Sequence, residues 1–434
     1  MRLPTSIALA SVVVLVSAAL HAQPPASPQL PDPLTLEQSL QIFRQRGFDL
    51  LLADAAVLGA EGDVKVAGAV PNPNFQLWGS WTSATNPPNS PWGVTAGLGD
   101  SNALEDSLSG KRWLRLKVAR AALAAARMNR SDAQRTLELE VKTAYIQAVL
   151  ARDSLDFALQ VQGGANQIFQ LNQTRYNAGA ISEAELAKIE TAKLQADQAV
   201  DVSTQALRAA KLQLAFFLGV RGSVPDFHVD QDLPRFVIPP SLANATAATL
   251  LDEAVQHRPD LRAAEHQRAR AEAAIALARR DRFPDISLNL QYQQQAGFNA
   301  SAAQPPTVSL GLMGTLPLFY FQRGEILRAE AELRAQQLQR GKLEAQLSSD
   351  VESAFNAFAS TRKLVERMES RLLDRSRRAR DLVSLQYQKG AASLLEYLDA
   401  QRTYIANNVD YLQELASYWT AVYQLEAAVG MDLR

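Results

Sequence analysis

The residues that could do catalytic or metal chemistry are few and poorly grouped. Histidines stand only at positions 21, 228, 257 and 266, there is no cysteine, and the five methionines are scattered. His257 and His266 lie nine positions apart, so on a helix they do not share a face as an i, i+4 ligand pair would. Without cysteine there is no disulfide, thiolate site or acylated N-terminal cysteine. No enzyme, cofactor or metal site is expected from this set. Polar chemistry concentrates instead in two stretches, RYNAGAISEAELAKIETAK (175–193) and QYQKGAASLLEYLDAQRTY (386–404). In each, a tyrosine (Tyr176, Tyr387) precedes a glycine (Gly179, Gly390) that tolerates a left-handed turn. A serine then opens a capping box with Glu185 or Glu396 three residues on. The pattern predicts helix, tight turn, helix. Asp399 follows Glu396 by one turn on the same face and has no capping duty.

The two stretches are separated by 211 positions, and so are Asp49 and Asp260, Pro73 and Pro284, Arg112 and Arg323, and Gly219 and Gly430. The chain is a tandem duplication, and a unit of this length is a duplicated half-domain rather than a solenoid repeat. The first repeat is expected over 35–222 and the second over 250–434, with an inter-repeat linker at 223–249.

Each unit starts with a helical pattern, at Thr35 with a capping box to Gln38 and near Leu250, and a proline then stops it. After Pro73 and Pro284 the period becomes two. Ile286, Leu288, Leu290 and Tyr292 alternate with Ser287, Asn289, Gln291 and Gln293, and Phe75, Leu77 and Trp81 alternate with Gln76 and Ser80. Partner strands carry Trp92, Val94, Ala96 and Leu98, and Val308, Leu310 and Leu312, beyond polar tips such as NPPNSP. Strands are expected within about 74–108 and 285–319, four per chain. A half-buried soluble sheet gives the same alternation. So does a tilted membrane strand of roughly ten residues, and four strands close around a lumen only as a multiple from several chains.

The remainder is helical, with hairpins expected at about 110–219 and 322–430. A limb of about 64 proline-free residues would reach roughly 95 Å. Small residues beside charged ones suit narrow packing stripes, as in a tube wall or a coiled-coil bundle. The basic run RSRRAR (375–380) reads as a solvated helix face.

Address and charge agree with secretion. Arg2, the apolar run Ile7–Leu20 and LHA before Gln23 form a signal-peptide pattern over 1–22, followed by a proline-rich segment at 23–34. The formal net charge of −1 gives no pull toward nucleic acid.

With these elements in place, the sequence resembles the TolC-type outer-membrane efflux proteins and, within them, the CzcC-like heavy-metal branch. The residues that carry the resemblance are PLFYFQRGEILRAEAEL (317–333), YQKGAASLLEYLDAQRTY (387–404) and LEAAVGMDL (425–433), with weaker counterparts in the first unit. The resemblance implies a membrane β-barrel continued by a long α-helical barrel. Twelve strands from a homotrimer would lie in outer-membrane lipid, and the tunnel would stand in the periplasm. It implies a passive exit duct for small solutes, heavy-metal cations among them, docked to a periplasmic adaptor (membrane fusion protein) and an inner-membrane pump of the RND type. By the same resemblance Asp399, Glu396 and Glu185 match a periplasmic aperture, and Tyr176, Gly179, Tyr387 and Gly390 match the hairpin tips where an adaptor docks. Where the family member best known for closure carries an arginine two residues after the turn glycine, this chain has Ala392. The rival readings are an exit duct for type I protein secretion and a periplasmic adaptor.

Overall fold

The computed structural model describes residues 30–81, 89–230, 233–297, 305–315 and 317–433. The expected signal peptide, residues 23–29 of the proline-rich segment and the first half of the NPPNSP tip, residues 86–88, lie outside the described residues. The order of elements repeats. Helices α1 (Leu36–Arg46) and α2 (Phe48–Gly68) lead to strands β1 (Asn74–Trp81) and β2 (Asn89–Gly99), a short helix α3 (Ala103–Leu108), and the long pair α4 (Lys111–Asn177) and α5 (Glu183–Phe217). The second copy runs α6 (Ala247–His257), α7 (Pro259–Arg280), β3 (Ile286–Gly297), β4 (Thr307–Gly314), α8 (Arg323–Arg367), α9 (Leu373–Gln388) and α10 (Leu394–Val429). Thr35 caps α1 as its sequence predicts: its hydroxyl accepts from the Gln38 N–H at 3.1 Å, and the Gln38 side chain accepts from the Thr35 N–H at 3.0 Å.

Two expectations are corrected. Strand does not persist to residue 108 or 319. The first repeat folds 103–108 into α3, where Asp100 accepts from the N–H groups of Asn102 and Leu104 and so starts a helix, and β4 ends at Gly314. The first limb of the second hairpin is also not one continuous helix. A π-helical turn at Met368–Leu372 interrupts it, the wider turn absorbing an extra residue, and Glu369 there accepts from the Tyr411 hydroxyl at 2.6 Å.

The four strands form one antiparallel sheet in the order β1-β2-β3-β4. Its register aligns the apolar residues on one face: Phe75 opposite Leu98, Leu98 opposite Leu290, and Leu290 opposite Leu310. Among the described residues that face meets only the short α3, beside Ile286, Leu288 and Leu312 at its foot, and Leu77, Val94, Leu290, Leu310 and Leu312 are exposed. Trp78, opposite Thr95, stands exposed on the polar face, which alternation did not foresee.

Burial is concentrated far from the sheet and far from the helical tips. The largest apolar cluster joins Val141–Leu150 of α4, Leu214 of α5, Leu347, Val351 and Phe358 of α8, and Leu415–Val429 of α10. Helices α1 and α6 contribute Phe43, Leu250 and Ala254 to it. The linker is tied around this cluster by aromatic donors. The Tyr145 hydroxyl donates to the carbonyls of Leu34 and Asp230, the Tyr418 hydroxyl to Val237, and the Trp419 indole N–H to Pro234, at 2.8 to 3.1 Å.

One buried cation closes the second repeat at this level. Arg258, between α6 and α7, makes a two-point contact with Asp260 at 2.6 and 3.1 Å, reaches Asp350 of α8 at 3.0 Å, and donates to the Ala428 carbonyl at 3.4 Å. Burial pushes the Asp260 carboxyl up, but the Arg258 guanidinium outweighs it and holds the group below the usual carboxylate range. Arg258→Ala should strand Asp260 without its partner and lower unfolding stability by about 3–5 kcal/mol. Asp350→Asn, at a side chain 53% exposed, should cost only about 0–1 kcal/mol. Denaturant titration in detergent checks both, and equal effects would refute the assignment.

Candidate functional site

The two helical tips are built from the same local chemistry. Gly179 and Gly390 adopt φ of +73° and +77°, and a Cβ at either would meet nothing within 4 Å, so glycine is needed there for conformation and not for space. The Gly179 and Ala180 N–H groups return to the carbonyls of Tyr176 and Arg175, both at 2.8 Å. Those of Gly390 and Ala391 return to Tyr387 and Gln386 at 3.1 and 2.8 Å. This doubled bond pattern satisfies the carbonyls that a helix C-terminus leaves open. Ser182 and Ser393 then start the return helices α5 and α10, with Glu185 and Glu396 reaching back to the serine N–H at 3.0 and 2.7 Å.

The tips are joined to each other by a different set of residues. Ile189, Tyr387, Leu394 and Tyr397 form a small buried cluster against Ile168, Phe169, Val383 and Ala392. Tyr387 is only 7% exposed. Its hydroxyl donates to Asn172 Oδ1 at 2.8 Å, and Asn172 Nδ2 donates in turn to the Ile168 carbonyl at 2.8 Å. Its ring stacks on Tyr397 with centroids 5.0 Å apart. The Arg175 guanidinium lies 5.5 Å from the Tyr387 ring centre and donates to the Gln388 carbonyl at 3.0 Å, linking the first tip to the second. Burial pushes the Tyr387 hydroxyl up, with Arg175 and Asn172 pulling the other way, so it stays a donor at any physiological pH.

The residues singled out by sequence divide into three groups. Tyr387 is drawn into the contact between hairpins, whereas its counterpart Tyr176 is left exposed at the rim. Glu185 and Glu396 are both held in their caps, and the Ser393 N–H and hydroxyl hold the Glu396 carboxyl below its usual range. Asp399 is exposed one turn further along α10. The structure therefore does not gather the three carboxylates into one cluster within a single chain. In the basic run, Arg380 sits 4.0 Å from the Tyr404 ring centre and pairs with Asp381.

Asn172, Arg175, Ile189 and Tyr397 were not foreseen. Their one sequence signal is that all four break the repeat: Asn172 stands opposite Val383, Arg175 opposite Gln386, Ile189 opposite Ala400, and Tyr397 opposite Leu186.

The model of the family described as outer membrane efflux protein matches residues 40–220 and 250–431. The pyoverdine export outer membrane protein OpmQ of Pseudomonas aeruginosa is 26% identical over 414 residues, covering 91% of this chain and 84% of its own. The cobalt-zinc-cadmium resistance protein CzcC of Cupriavidus metallidurans is 22% identical over 398 residues, covering 92% and 90%. In fold, the chain is similar to the open state of the Neisseria gonorrhoeae MtrE outer membrane channel, with a TM-score of 0.75 at 22% identity over 93% of this chain and 90% of that one. Matched in both repeats and similar in fold nearly end to end, the chain belongs to the outer membrane efflux protein family, and it is an outer-membrane efflux channel and not an enzyme.

Proposed function

We propose that three copies of the chain close a twelve-stranded barrel whose helical tunnel is the periplasmic part of a tripartite efflux system. In it an inner-membrane pump of the RND type delivers small solutes through a periplasmic adaptor. The observation that carries this is the sheet: four strands with an apolar face open, and edge strands β1 and β4 each paired on one side only among the described residues. Four strands are too few to enclose water, and open edges are not stable in lipid, so further copies must complete the ring. The structural units of each copy are 35–222 and 250–434, joined by the linker 223–249. Native mass measurement in detergent should give three chains; a monomer that conducts would overturn the proposal.

The tips at Gly179 and Gly390 are the adaptor-docking end, supported by their place at the far end of the helices from the strands and by the exposure of Asn177 and Lys389. We assign the periplasmic aperture to Asp399 with Glu396 and, in the first hairpin, Glu185. Three-fold symmetry brings three Asp399 side chains around one axis, where confined like charges concentrate cations. Solutes of the kind named for CzcC, heavy-metal cations, fit such an entrance. Asp399→Asn should reduce cation preference and block by multivalent cations in planar bilayers, while Glu396→Gln, which keeps the cap, should change them less. Unchanged selectivity in Asp399→Asn would remove that residue from the pore.

The contact of Tyr387 with Asn172 holds the second tip against the first. Tyr387→Phe leaves Asn172 Oδ1 buried without its donor, which weakens that contact by about 1–3 kcal/mol. Resting conductance should rise, with trimer stability unchanged. Wild-type conductance in Tyr387→Phe would show that the bond does not restrain the aperture.

A further inference from the structure

We propose that the groove between α3 and the sheet binds an acyl chain of a membrane phospholipid, so that α3 forms part of a lipid-immersed collar at the foot of the barrel. This rests on the outer-membrane channel described above. The groove has a volume of about 280 Å³ and is lined by Leu104 and Leu108 of α3 and by Ile286, Leu288 and Leu312 of β3 and β4. Its floor is continuous with the apolar face of the sheet, the face that meets lipid if the sheet is a barrel wall.

The polar side of α3 is already satisfied from within the chain. Glu105 lies 3.3 Å from Lys111 Nζ, Asp106 pairs with Arg115, and the Asp100 carboxylate fastens the start of the helix to the Leu288 N–H of β3 at 2.7 Å. Outward stand Leu104, 55% exposed, and Leu108, 85% exposed, with the exposed Ser107 hydroxyl bonded back to the Ala103 carbonyl at 2.9 Å. A helix that spends its charged groups inward and leaves leucines out is arranged for an apolar solvent.

A second copy of the chain is a poorer occupant. Helix α3 packs against β3, and the groove lies on the face of the sheet, with only Leu312 of its lining on the edge strand β4, whereas a neighbouring copy would join through the backbone of an edge strand. The duplication supplies an independent observation. In the second repeat the described residues between β4 and α8 form no helix, yet Leu318, Phe319, Tyr320 and Phe321 are all exposed there, Phe319 at 99%. Trp113 and Phe283 are exposed next to the same junction. Both repeats thus place bare apolar and aromatic side chains where strands give way to helices, the level at which aromatic residues favour a membrane–water interface.

The absence of cysteine permits single-cysteine spin labels at Leu108, Leu310 and Lys117, read by relative collision with oxygen and with a water-soluble nickel chelate in phosphatidylethanolamine vesicles. The expected result is a lipid-like ratio at positions 108 and 310 and an aqueous one at 117. A lipid-like label at 310 with an aqueous one at 108 overturns the collar and leaves the channel assignment standing. An aqueous label at 310 as well means that the sheet is not a barrel wall, and both fall. As a second measurement, protein drawn from the same vesicles into detergent should retain fewer phosphatidylethanolamine molecules per chain in the doubly substituted Leu104→Ser, Leu108→Ser variant than in wild type, by about one. Equal retention overturns the groove as a binding site.

Discussion

The fold depends on a single belt of apolar burial, because helices of this length have no core of their own. Helix α4 runs for 67 residues, about 100 Å, and its buried positions are densest in one stretch, Ala144–Ala151, broken only by Gln147. The matching stretches of α8 and α10 meet it there, and Tyr418, Phe358 and Phe43 are buried among them. Elsewhere small residues and charges alternate along the helices, enough for a narrow contact and too little to fix an angle. The belt sets that angle, and the linker tied down by Tyr145, Tyr418 and Trp419 keeps it closed. Buried charge is placed at the same level, where Lys142 meets Glu426 at 2.6 Å and Arg258 meets Asp260. Such pairs add little net stability over apolar packing, but they penalise any slip of one helix along another.

With the angle fixed at the belt, the two ends need only local chemistry. At one end the sheet is held by its ladder and by Lys111, whose ammonium is buried between Asp285, Glu105 and the Phe283 carbonyl and which thereby clasps the first repeat to the second. At the other end the tips are ended by glycine turns and capping boxes. They touch through one small cluster, the Arg175 guanidinium over the Tyr387 ring and two hydrogen bonds between hairpins. Each such contact is worth about a kcal/mol, so the tips can part without disturbing the belt.

The features legible in the sequence were those that follow from periodicity and local rules. The alternation after Pro73 and Pro284 marked the strands, the 211-residue offset marked the paired elements, and the serine–glutamate spacing marked both caps. What escaped were departures from the repeat. Helix α3 lies where a leucine-containing segment had no period long enough to read, and it forms because Asp100 supplies a cap from outside it. The π turn at Met368–Leu372 depends on a partner, Tyr411, that lies 42 positions from Glu369. The Tyr387 and Asn172 pair spans 215 positions and involves an asparagine with no distinctive neighbours. Long-range polar pairs of this kind are set by how helices meet, and no local pattern encodes them.

These departures also give the duplication its use. At the sheet the two repeats are nearly interchangeable, with the same alternation and the same outward apolar face. At the tips they are not: Tyr387 is buried where Tyr176 is exposed, and Tyr397 packs where the first repeat has Leu186. In the proposed trimer the barrel therefore approaches six-fold equivalence, which suits a uniform lipid surround, while the tips are strictly three-fold. The second hairpin carries the tyrosine with Glu396 and Asp399, and the first supplies the asparagine and arginine that receive the tyrosine. An opening movement built on this arrangement shifts one hairpin of each chain against the other and leaves the barrel, whose repeats share one sheet, unchanged.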